Sequence, residues 1–596
     1  MYLKPFRLKS ENTAPPFRLV FSCRECLQSG QKSVSCVGKT SFGSRFDGAG
    51  TAAVRASCAA VADKGGKQRV PLPPVLSGRA ECGLAAMGFA QHAAFATCGT
   101  LLSRLLGFAR DAALAWLLGA GGTADALSVA LRLPYAFRKL LGEGALSLTL
   151  TVACSAGSAP ALAALVTRRL LVLVAPWLLI ALAAAPALAF VLAPGLDSSC
   201  CALAAQLLYL TLPYICFALL TAGFMARLHA GRHFALPGMV PAVFNLTVLL
   251  AAGGAFLFAG SAEACASWFA GGVLAGGAAQ WALAGILARC CAPRPAAVLL
   301  PSPQEVRRTL AAFTPGLMSA AVPQLAFLLA AMVASVFEGG PSSLFFAERL
   351  LEFPLAISAV GINLALTPLV AALTAQDPSG STGSDALAAA FVLPLLLTLP
   401  AAAGLAACAQ TVVSLLLEYG AFDAEASGQT AQLLAVLSLS LPACAVVRPL
   451  LVINHVTGSG RQLAGRAGIA LGVVLLSGYG LTVQHALFCA PAAGVCAGLW
   501  LHAFLLWLPA RHRMDLRSVW PVLLCSGVGS LAAWGAASAS IRYGGAAGWS
   551  LPFTLGTAVA AGVLAWGALM LPVASRVRRM VRQLNGQPEA VPCNRL

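Results

Sequence analysis

Apolar segments of about 20 residues or more alternate with short polar connections from about Phe89 to Val573. A segment of this length can cross the roughly 30 Å hydrocarbon core of a bilayer as a helix. Lipid offers backbone groups no hydrogen-bond partner, so a chain with many such segments crosses the membrane as helices. Glycine, proline and charged residues divide the pattern into about fourteen predicted spans: 89–118, 124–151, 160–193, 204–229, 236–260, 264–290, 308–337, 341–373, 384–417, 427–456, 463–483, 485–508, 518–541 and 549–573.

The basic residues between these spans predict their orientation, because cytoplasmic loops carry the excess of Lys and Arg. Alternate connections hold the arginines, which are Arg168, Arg169, Arg227, Arg232, Arg289, Arg294, Arg307, Arg308, Arg461, Arg466, Arg511, Arg513 and Arg517, followed by Arg576, Arg578, Arg579 and Arg582 in the tail. Intervening connections such as 193–203 and 418–429 hold almost none. Both termini are therefore predicted to be cytoplasmic, which requires an even number of spans and agrees with fourteen.

Composition separates this chain from soluble and nucleic-acid-binding proteins. Hydrophobic residues make up 59% and charged residues 10%, whereas soluble domains are about 25% charged. The net charge of +18 is spread over loops and does not form one basic surface interleaved with aromatic residues. The 19 cysteines are scattered, mostly through apolar segments, so no disulfide framework is predicted, and no cofactor is indicated.

Residues 1–86 differ from the rest because they are polar and basic and contain no spanning segment. We expect them to be disordered, or to lie upstream of a true start at Met87, which opens the first apolar helix. Cys23 and Cys26 have a metal-like spacing, but no second pair of ligands completes a zinc site.

Charged residues interrupt the first, second and eighth predicted spans. They are Arg104, Arg110, Asp111, Asp125, Arg132, Arg138, Lys139, Glu143, Glu348, Arg349 and Glu352. A central Arg or Lys raises the free energy of membrane insertion by about 2.5–3.5 kcal/mol, whereas a Leu or Val lowers it by only about 0.3–0.6 kcal/mol. Most of these side chains therefore face the interior of a bundle. Helical spacing places Arg104 and Asp111 on one face, and likewise Asp125, Arg132 and Lys139 until Pro134 perturbs the register.

Two interpretations of these charges remain open. The carboxylates Asp111, Asp125, Glu143, Glu348 and Glu352 either form interhelical salt bridges or support a ligand site. For Arg104, Arg110, Arg138 and Arg349 a ligand role is favoured, because a guanidinium fork matches a phosphate group. A hydrated central cavity that holds an anionic headgroup accounts for both residue types.

Several motifs carry a resemblance to a known family. They are Ser103–Asp111, Gly119–Asp125, Leu133–Lys139, Gly142–Ser147, Leu212–Tyr214, Pro237–Asn245, Phe346–Pro354 and Tyr419–Phe422. In this order they closely resemble the MurJ (MviN) lipid II flippases, over about residues 87–575. The first block is highly specific, whereas the last third matches mainly in hydropathy.

The resemblance implies an all-α integral membrane protein of the multidrug/oligosaccharidyl-lipid/polysaccharide exporter superfamily. Its expected parts are a first bundle (87–310), a second bundle (311–510) and a C-terminal region (511–596) whose two helices form a lateral groove for a polyprenyl tail. The implied substrate is undecaprenyl-pyrophosphate-linked disaccharide-pentapeptide, carried across the bacterial inner membrane for peptidoglycan synthesis, with the cell-wall synthesis machinery as a further partner. The four arginines above would bind the pyrophosphate, and Asp111 and Asp125 would support them.

The sequence departs from the family at three places. Tyr135 stands where the family has Asn, Glu348 stands where it has Asp, and the seventh span contains no internal carboxylate, so a sodium site is not carried over. Three alternatives stay open: another exporter of the superfamily, a membrane enzyme acting on polyprenyl phosphates, and a scaffold. The seven histidines form no sequence cluster, which disfavours the enzyme.

Overall fold

The computed structural model describes residues 89–585, except 142–158, 231–234, 292–301, 356–369, 371–372, 375–384, 458–459, 516 and 518. The predictions for residues 1–86, the Met87 start, the Cys23/Cys26 motif, the Gly142–Ser147 motif and Glu143 lie outside these residues. The regular elements of the described residues are helices.

The helices of the first half are α1 (Phe89–Leu118), α2 (Gly122–Leu141), α3 (Ala159–Ala183), α4 (Ala185–Leu192), α5 (Ser198–Thr211), α6 (Tyr214–Ala230), α7 (Ala235–Phe258) and α8 (Ala262–Cys291). Those of the second half are α9 (Pro303–Ala334), α10 (Gly340–Leu355), α11 (Asp385–Leu417), α12 (Ala424–Ser438), α13 (Leu441–Thr457), α14 (Gly460–His485), α15 (Ala490–Ala510), α16 (Trp520–Ala546), α17 (Leu551–Met570) and α18 (Ala574–Asn585).

Each predicted span contains at least one of these helices, and three predicted spans are interrupted. The segments 160–193, 204–229 and 427–456 are each divided between two helices. Among the described residues, nine helices are long and apolar enough to cross a membrane, or ten if α12 and α13 count as one bent span. Helices α1 and α2 are not among them, and α2 holds four charged residues within its 20 positions. The number fourteen stays a prediction.

The helices pack mainly with others from the same half of the chain, so they form two groups. In the first half α1 packs on α7, α7 on α8, α8 on α6, and α2 on α5. In the second half α11 packs on α12 and α13, and α14 packs on α15, with α9 beside both. Helix α2 contacts α9 and α10, so the charged helices lie where the two groups meet. Helices α16 and α17 pack together against α11.

The break between α12 and α13 leaves carbonyl groups that neighbouring side chains satisfy. Pro442 has no N–H, so it cannot bond to the carbonyl one turn before it, and the helix is interrupted at Leu439 and Ser440. Trp500 Nε1 donates to Leu439 O (2.9 Å), and Cys496 Sγ donates to Val436 O (3.0 Å). An interrupted helix is tolerated in a membrane because other groups re-satisfy its backbone.

One end of the molecule is closed by loops that meet across the two groups. We call it the sealed end, and it comprises residues 116–121, 195, 335–342 and 420–421. Ala421 N donates to Trp116 O (2.9 Å), and Gly195 N donates to Ser335 Oγ (2.9 Å). These contacts hold the beginning and the later part of the chain together at this end.

Three glycines let the loops of the sealed end approach closely. Gly119, Gly339 and Gly420 have φ values of 64°, 70° and 65°, a left-handed conformation that other residues rarely adopt. A Cβ at these positions would collide with the backbone oxygens of Ala421, Ala120 and Trp116, respectively. Glycine is therefore required both by the turn and by the close packing.

Asp197 caps helix α5 beside the sealed end. Its carboxylate accepts hydrogen bonds from Ser199 N (3.1 Å) and Cys200 N (3.3 Å). Hydrogen bonds from Cys200 and Ser199 lower the pKa of Asp197 to about 2, so the cap is charged at neutral pH.

Candidate functional site

Eight charged side chains meet inside the protein where α1, α2 and α10 approach each other. We call this group the charged centre; its members are Arg110, Asp111, Arg132, Arg138, Lys139, Glu348, Arg349 and Glu352. Arg110, Arg132 and Arg349 are 2%, 7% and 8% exposed, so these guanidinium groups face neither lipid nor bulk water. The prediction that these arginines lie inside the bundle is confirmed.

Ion pairs connect α2 to α10 across the charged centre. Glu348 accepts hydrogen bonds from both Arg132 and Lys139, the latter at 2.9 Å. Glu352 also pairs with Lys139, and it accepts from Arg349 Nη1 at 3.0 Å on its own helix. For Glu348 and Glu352, the interhelical salt bridges left open by the sequence are therefore present.

Arg110 is held by an acidic neighbour and by an amide. Its Nη2 and Nε donate to Asp111 Oδ1 at 2.7 and 2.9 Å, and its Nη1 donates to Asn245 Oδ1 at 3.0 Å. Asn245, on α7, donates in turn to Ser103 O on α1 (2.7 Å). The amide thus fixes the guanidinium of Arg110 from a neighbouring helix.

We expect Asn245→Ala to misplace Arg110. The variant removes one acceptor of a buried guanidinium and one interhelical hydrogen bond. The free energy that holds the Arg110 side chain in place should fall by about 1–3 kcal/mol. Substrate movement should fall roughly tenfold with little change in protein yield, measured by transport in vesicles. Thr247→Ala, on the same helix, removes a hydroxyl that donates only to Val243 O of its own helix, and serves as the control. Equal effects of the two changes would contradict a specific role for Asn245.

Aromatic rings pack between the arginines. The guanidinium groups of Arg110, Arg138 and Arg349 lie 5.3, 5.5 and 5.2 Å from the centroid of the Tyr135 ring. Phe244 lies under Arg110 and Arg138, at 5.9 and 5.3 Å. Phe345 lies under Arg132 and Arg349, at 5.9 and 4.9 Å. Cations at these distances are attracted by the ring faces, so the rings stabilise the arginines.

Several buried donors of the charged centre have no acceptor. Arg132 Nε, Arg132 Nη2 and Arg349 Nε are enclosed without a hydrogen-bond partner. Both arginines line a small cavity together with Tyr135, Lys139, Gln324 and Glu348. Buried charged donors without partners are rare and unfavourable. An anion entering this cavity would supply the acceptors that they lack.

The cavity is almost closed in this structure. Its volume is about 10 Å³, which is room for about one water molecule. The hydrated chamber that the sequence predicts is therefore contracted here, and a sugar-peptide headgroup does not fit. Separation of α2 from α10 would have to enlarge it.

Asp125 lies apart from the charged centre, at the sealed end. Its carboxylate accepts hydrogen bonds from Gly339 N (2.9 Å), Ser342 N (2.8 Å) and Ser342 Oγ (2.6 Å). It therefore caps the N-terminus of α10 from a different helix, where a negative charge also interacts favourably with the helix dipole. The sequence identified this residue as a supporting charge but could not identify its partner.

The remaining predicted residues have different surroundings. Arg104 is exposed and is not among the residues that line the cavity. It does not share a buried face with Asp111 as its spacing predicted, because Leu101, Leu102 and Leu105 around it are exposed too, so this part of α1 is covered on fewer sides. Its role toward a headgroup stays a prediction, as does that of Glu143.

Sequence reasoning gave an incomplete account of five contributors to the site. Arg132 and Lys139 were recognised only as charges, yet together they hold Glu348. Asn245 and the two phenylalanines gave no separate signal, because a neutral residue in an apolar span does not show which side chain on another helix it contacts. Among the described residues, no group of three or more His, Cys, Asp or Glu side chains could hold a metal ion.

Comparison with known proteins gives a consistent result. The sequence profile of the family described as "Lipid II flippase MurJ" matches residues 114–558. A relative from Rhizobium meliloti (strain 1021), "Probable lipid II flippase MurJ", is 30% identical over 429 residues, covering 69% of this chain and 79% of the relative.

Two solved structures share the fold. The one described as "Lipid II flippase MurJ, inward closed conformation" superimposes with a TM-score of 0.62 at 19% identity, covering 82% of this chain and 99% of the other. An inward-facing multidrug resistance MATE family transporter of the MOP superfamily gives a TM-score of 0.54 at 15% identity, covering 69% of this chain and 94% of the other.

Proposed function

This chain belongs to the lipid II flippase MurJ family, and from that premise we propose that it moves lipid II from the cytoplasmic to the periplasmic leaflet by alternating access. The observation that carries the proposal is the charged centre, where buried guanidinium donors without acceptors surround a small cavity. A pyrophosphate group offers the acceptors that these donors need. The protein is a multi-pass membrane transporter rather than an enzyme.

Electrostatics support binding of an anion at this position. Four basic side chains, Arg110, Arg132, Lys139 and Arg349, face the three carboxylates Asp111, Glu348 and Glu352. This part of the charged centre therefore carries more positive than negative charge in a medium that screens it weakly. A pyrophosphate would compensate the excess and compete with Glu352 for Arg349.

The transport cycle then follows from the two places where the helix groups meet. With the sealed end closed, separation of α2 from α10 at the opposite end would admit the headgroup to the charged centre, while the lipid tail stays in the bilayer. Binding neutralises the centre and favours closure, and release of the sealed end would expose the headgroup on the far side. Arg104 would meet the headgroup only in the opened state.

The remaining assignments complete the proposal. The protein lies in the bacterial inner membrane with both termini cytoplasmic, and its bundles comprise residues 87–310 and 311–510. Residues 511–596 contain the helix pair α16 and α17, which would guide the polyprenyl tail. Cell-wall synthesis enzymes that consume the flipped precursor are the expected partners.

Reconstitution tests the proposed activity directly. Lipid II that is fluorescently labelled on its peptide is placed in vesicles with the full-length protein, and a membrane-impermeant quencher reports the leaflet. We expect the protected fraction to fall much faster than in protein-free vesicles, with the mass of the lipid unchanged. No acceleration would favour another exporter of the superfamily or a scaffold, and a changed mass would favour an enzyme acting on polyprenyl phosphates.

A further inference from the structure

Tyr135 is the ring shared by three arginines of the charged centre. The guanidinium groups come from three helices, Arg110 from α1, Arg138 from α2 and Arg349 from α10, and each lies 5.2–5.5 Å from the ring centroid. The ring itself is 3% exposed.

The neighbouring rings show why Tyr135 holds the central position. The Phe244 ring contacts the guanidinium groups of Arg110 and Arg138, whereas the Phe345 ring contacts those of Arg132 and Arg349. Tyr135 packs against both, edge-to-face on Phe244 (6.5 Å) and stacked on Phe345 (6.3 Å). It therefore joins the arginines of the first helix group to Arg349 of α10.

An aromatic ring differs from a carboxylate as a neighbour for arginine. A carboxylate attracts a guanidinium by occupying its N–H groups, and those donors are then lost to a ligand. A ring face attracts the same cation through its quadrupole and leaves the N–H groups at the guanidinium edge unoccupied. The ring can thus gather like charges that would otherwise repel. It occupies none of the donors that Asp111 and Glu352 leave on Arg110 and Arg349.

The hydroxyl of Tyr135 points to a second contribution. It is buried without a hydrogen-bond partner, and the residue lines the same small cavity as Arg132 and Arg349. Buried tyrosine hydroxyls normally find a partner. An anion in the cavity would accept a hydrogen bond from this group.

We propose that Tyr135 is a positioning residue for anion binding, whose ring gathers Arg110, Arg138 and Arg349 and whose hydroxyl donates to the bound pyrophosphate. This inference rests on the proposed function, because it assumes that the charged centre binds a pyrophosphate lipid. It adds that the ring, and not only the arginines, determines the affinity for that group.

Binding of farnesyl pyrophosphate to the full-length protein in nanodiscs tests the proposal, with farnesol as the uncharged comparison. We expect Tyr135→Leu to weaken binding of farnesyl pyrophosphate roughly tenfold, and Tyr135→Phe to weaken it about threefold because only one hydrogen bond is lost. Binding of farnesol should be unchanged in both variants. A merely structural role would affect the two probes equally.

Tyr214→Leu is the matched control. Tyr214 is also a fully buried tyrosine that packs on Phe244, at 5.2 Å, so the same volume is removed from the same neighbourhood. It should leave the ratio of the two affinities unchanged. If Tyr135→Leu does not fold, as judged by its thermal unfolding midpoint, Tyr135→Met takes its place.

The outcomes separate this inference from the proposed function. Wild-type affinity in the folded Leu or Met variant, or an equal fall for farnesol, would overturn the role of Tyr135 and leave the flippase proposal intact. Failure of the wild-type protein to prefer farnesyl pyrophosphate over farnesol would instead overturn pyrophosphate binding at the charged centre, and this inference with it.

Discussion

Replacement of Arg349 by Gln is expected to lower lipid II movement roughly 100-fold while the protein remains folded. Two charge-assisted hydrogen bonds to a phosphate, each contributing about 1.5 kcal/mol, together correspond to that factor. Folding should persist because Glu352, the partner of Arg349, also pairs with Lys139. The variant therefore leaves no isolated carboxylate.

Arg349→Lys sharpens this test. Lysine keeps the positive charge but lacks the planar fork that binds two phosphate oxygens at once, so we expect little recovery of transport. Arg542→Gln, which removes an exposed arginine from α16, is the control for the loss of one charge. Near-normal transport in labelled-lipid vesicles by Arg349→Gln, or equal losses in Arg542→Gln, would argue against Arg349 as a substrate ligand.

Replacement of Asp125 by Ala is expected to shift the protein strongly toward opening at the sealed end. Three hydrogen bonds to a buried carboxylate hold the start of α10. Their removal should make the closed state less stable by about 4 kcal/mol, which shifts the opening equilibrium roughly 1000-fold. Transport should fall, because a cycle that cannot close this end releases the headgroup in both directions.

Labelling of a cysteine at position 343 measures the opening. Ser343 is fully buried beside Ser342, so Ser343→Cys should react slowly with a membrane-impermeant maleimide, and at least tenfold faster when combined with Asp125→Ala. Asp197→Ala is the matched control, since Asp197 caps its own helix without crossing to α10. Unchanged labelling in the Asp125 variant would show that this carboxylate does not hold the sealed end.

The helices were largely predictable from the sequence, and the interruptions within them were not. Hydropathy located the apolar helices because the requirement to cover a bilayer depends only on composition and length, whereas the basic helix α18 lies beyond the last predicted span. Pro442 stands just after the break at Leu439, but the side chains that satisfy the freed carbonyls, Trp500 and Cys496, lie about 60 positions later. Such distant compensation leaves no local pattern.

The sequence predicted that charged side chains lie inside the protein, but it did not predict which of them pair with each other. The cost of a charge in lipid indicated that Arg110, Arg138 and Arg349 lie inside. Helical spacing relates residues on one helix only, so it could not show that Glu348 binds both Arg132 and Lys139, or that Asp125 caps α10. The same limit explains Arg104, whose spacing from Asp111 did not bring it into the centre.

The loops at Gly119, Gly339 and Gly420 have a consequence for how the protein responds to its surroundings. Ala421 N and Trp116 O are peptide groups, which neither titrate nor carry a full charge. Ionic strength and external acidity should therefore hardly alter their bond, whereas both would alter the arginine-rich interior once water reaches it. Salt should thus change how tightly the headgroup is bound far more than it changes this peptide contact, and at the sealed end acidity acts on the carboxylate of Asp125 instead.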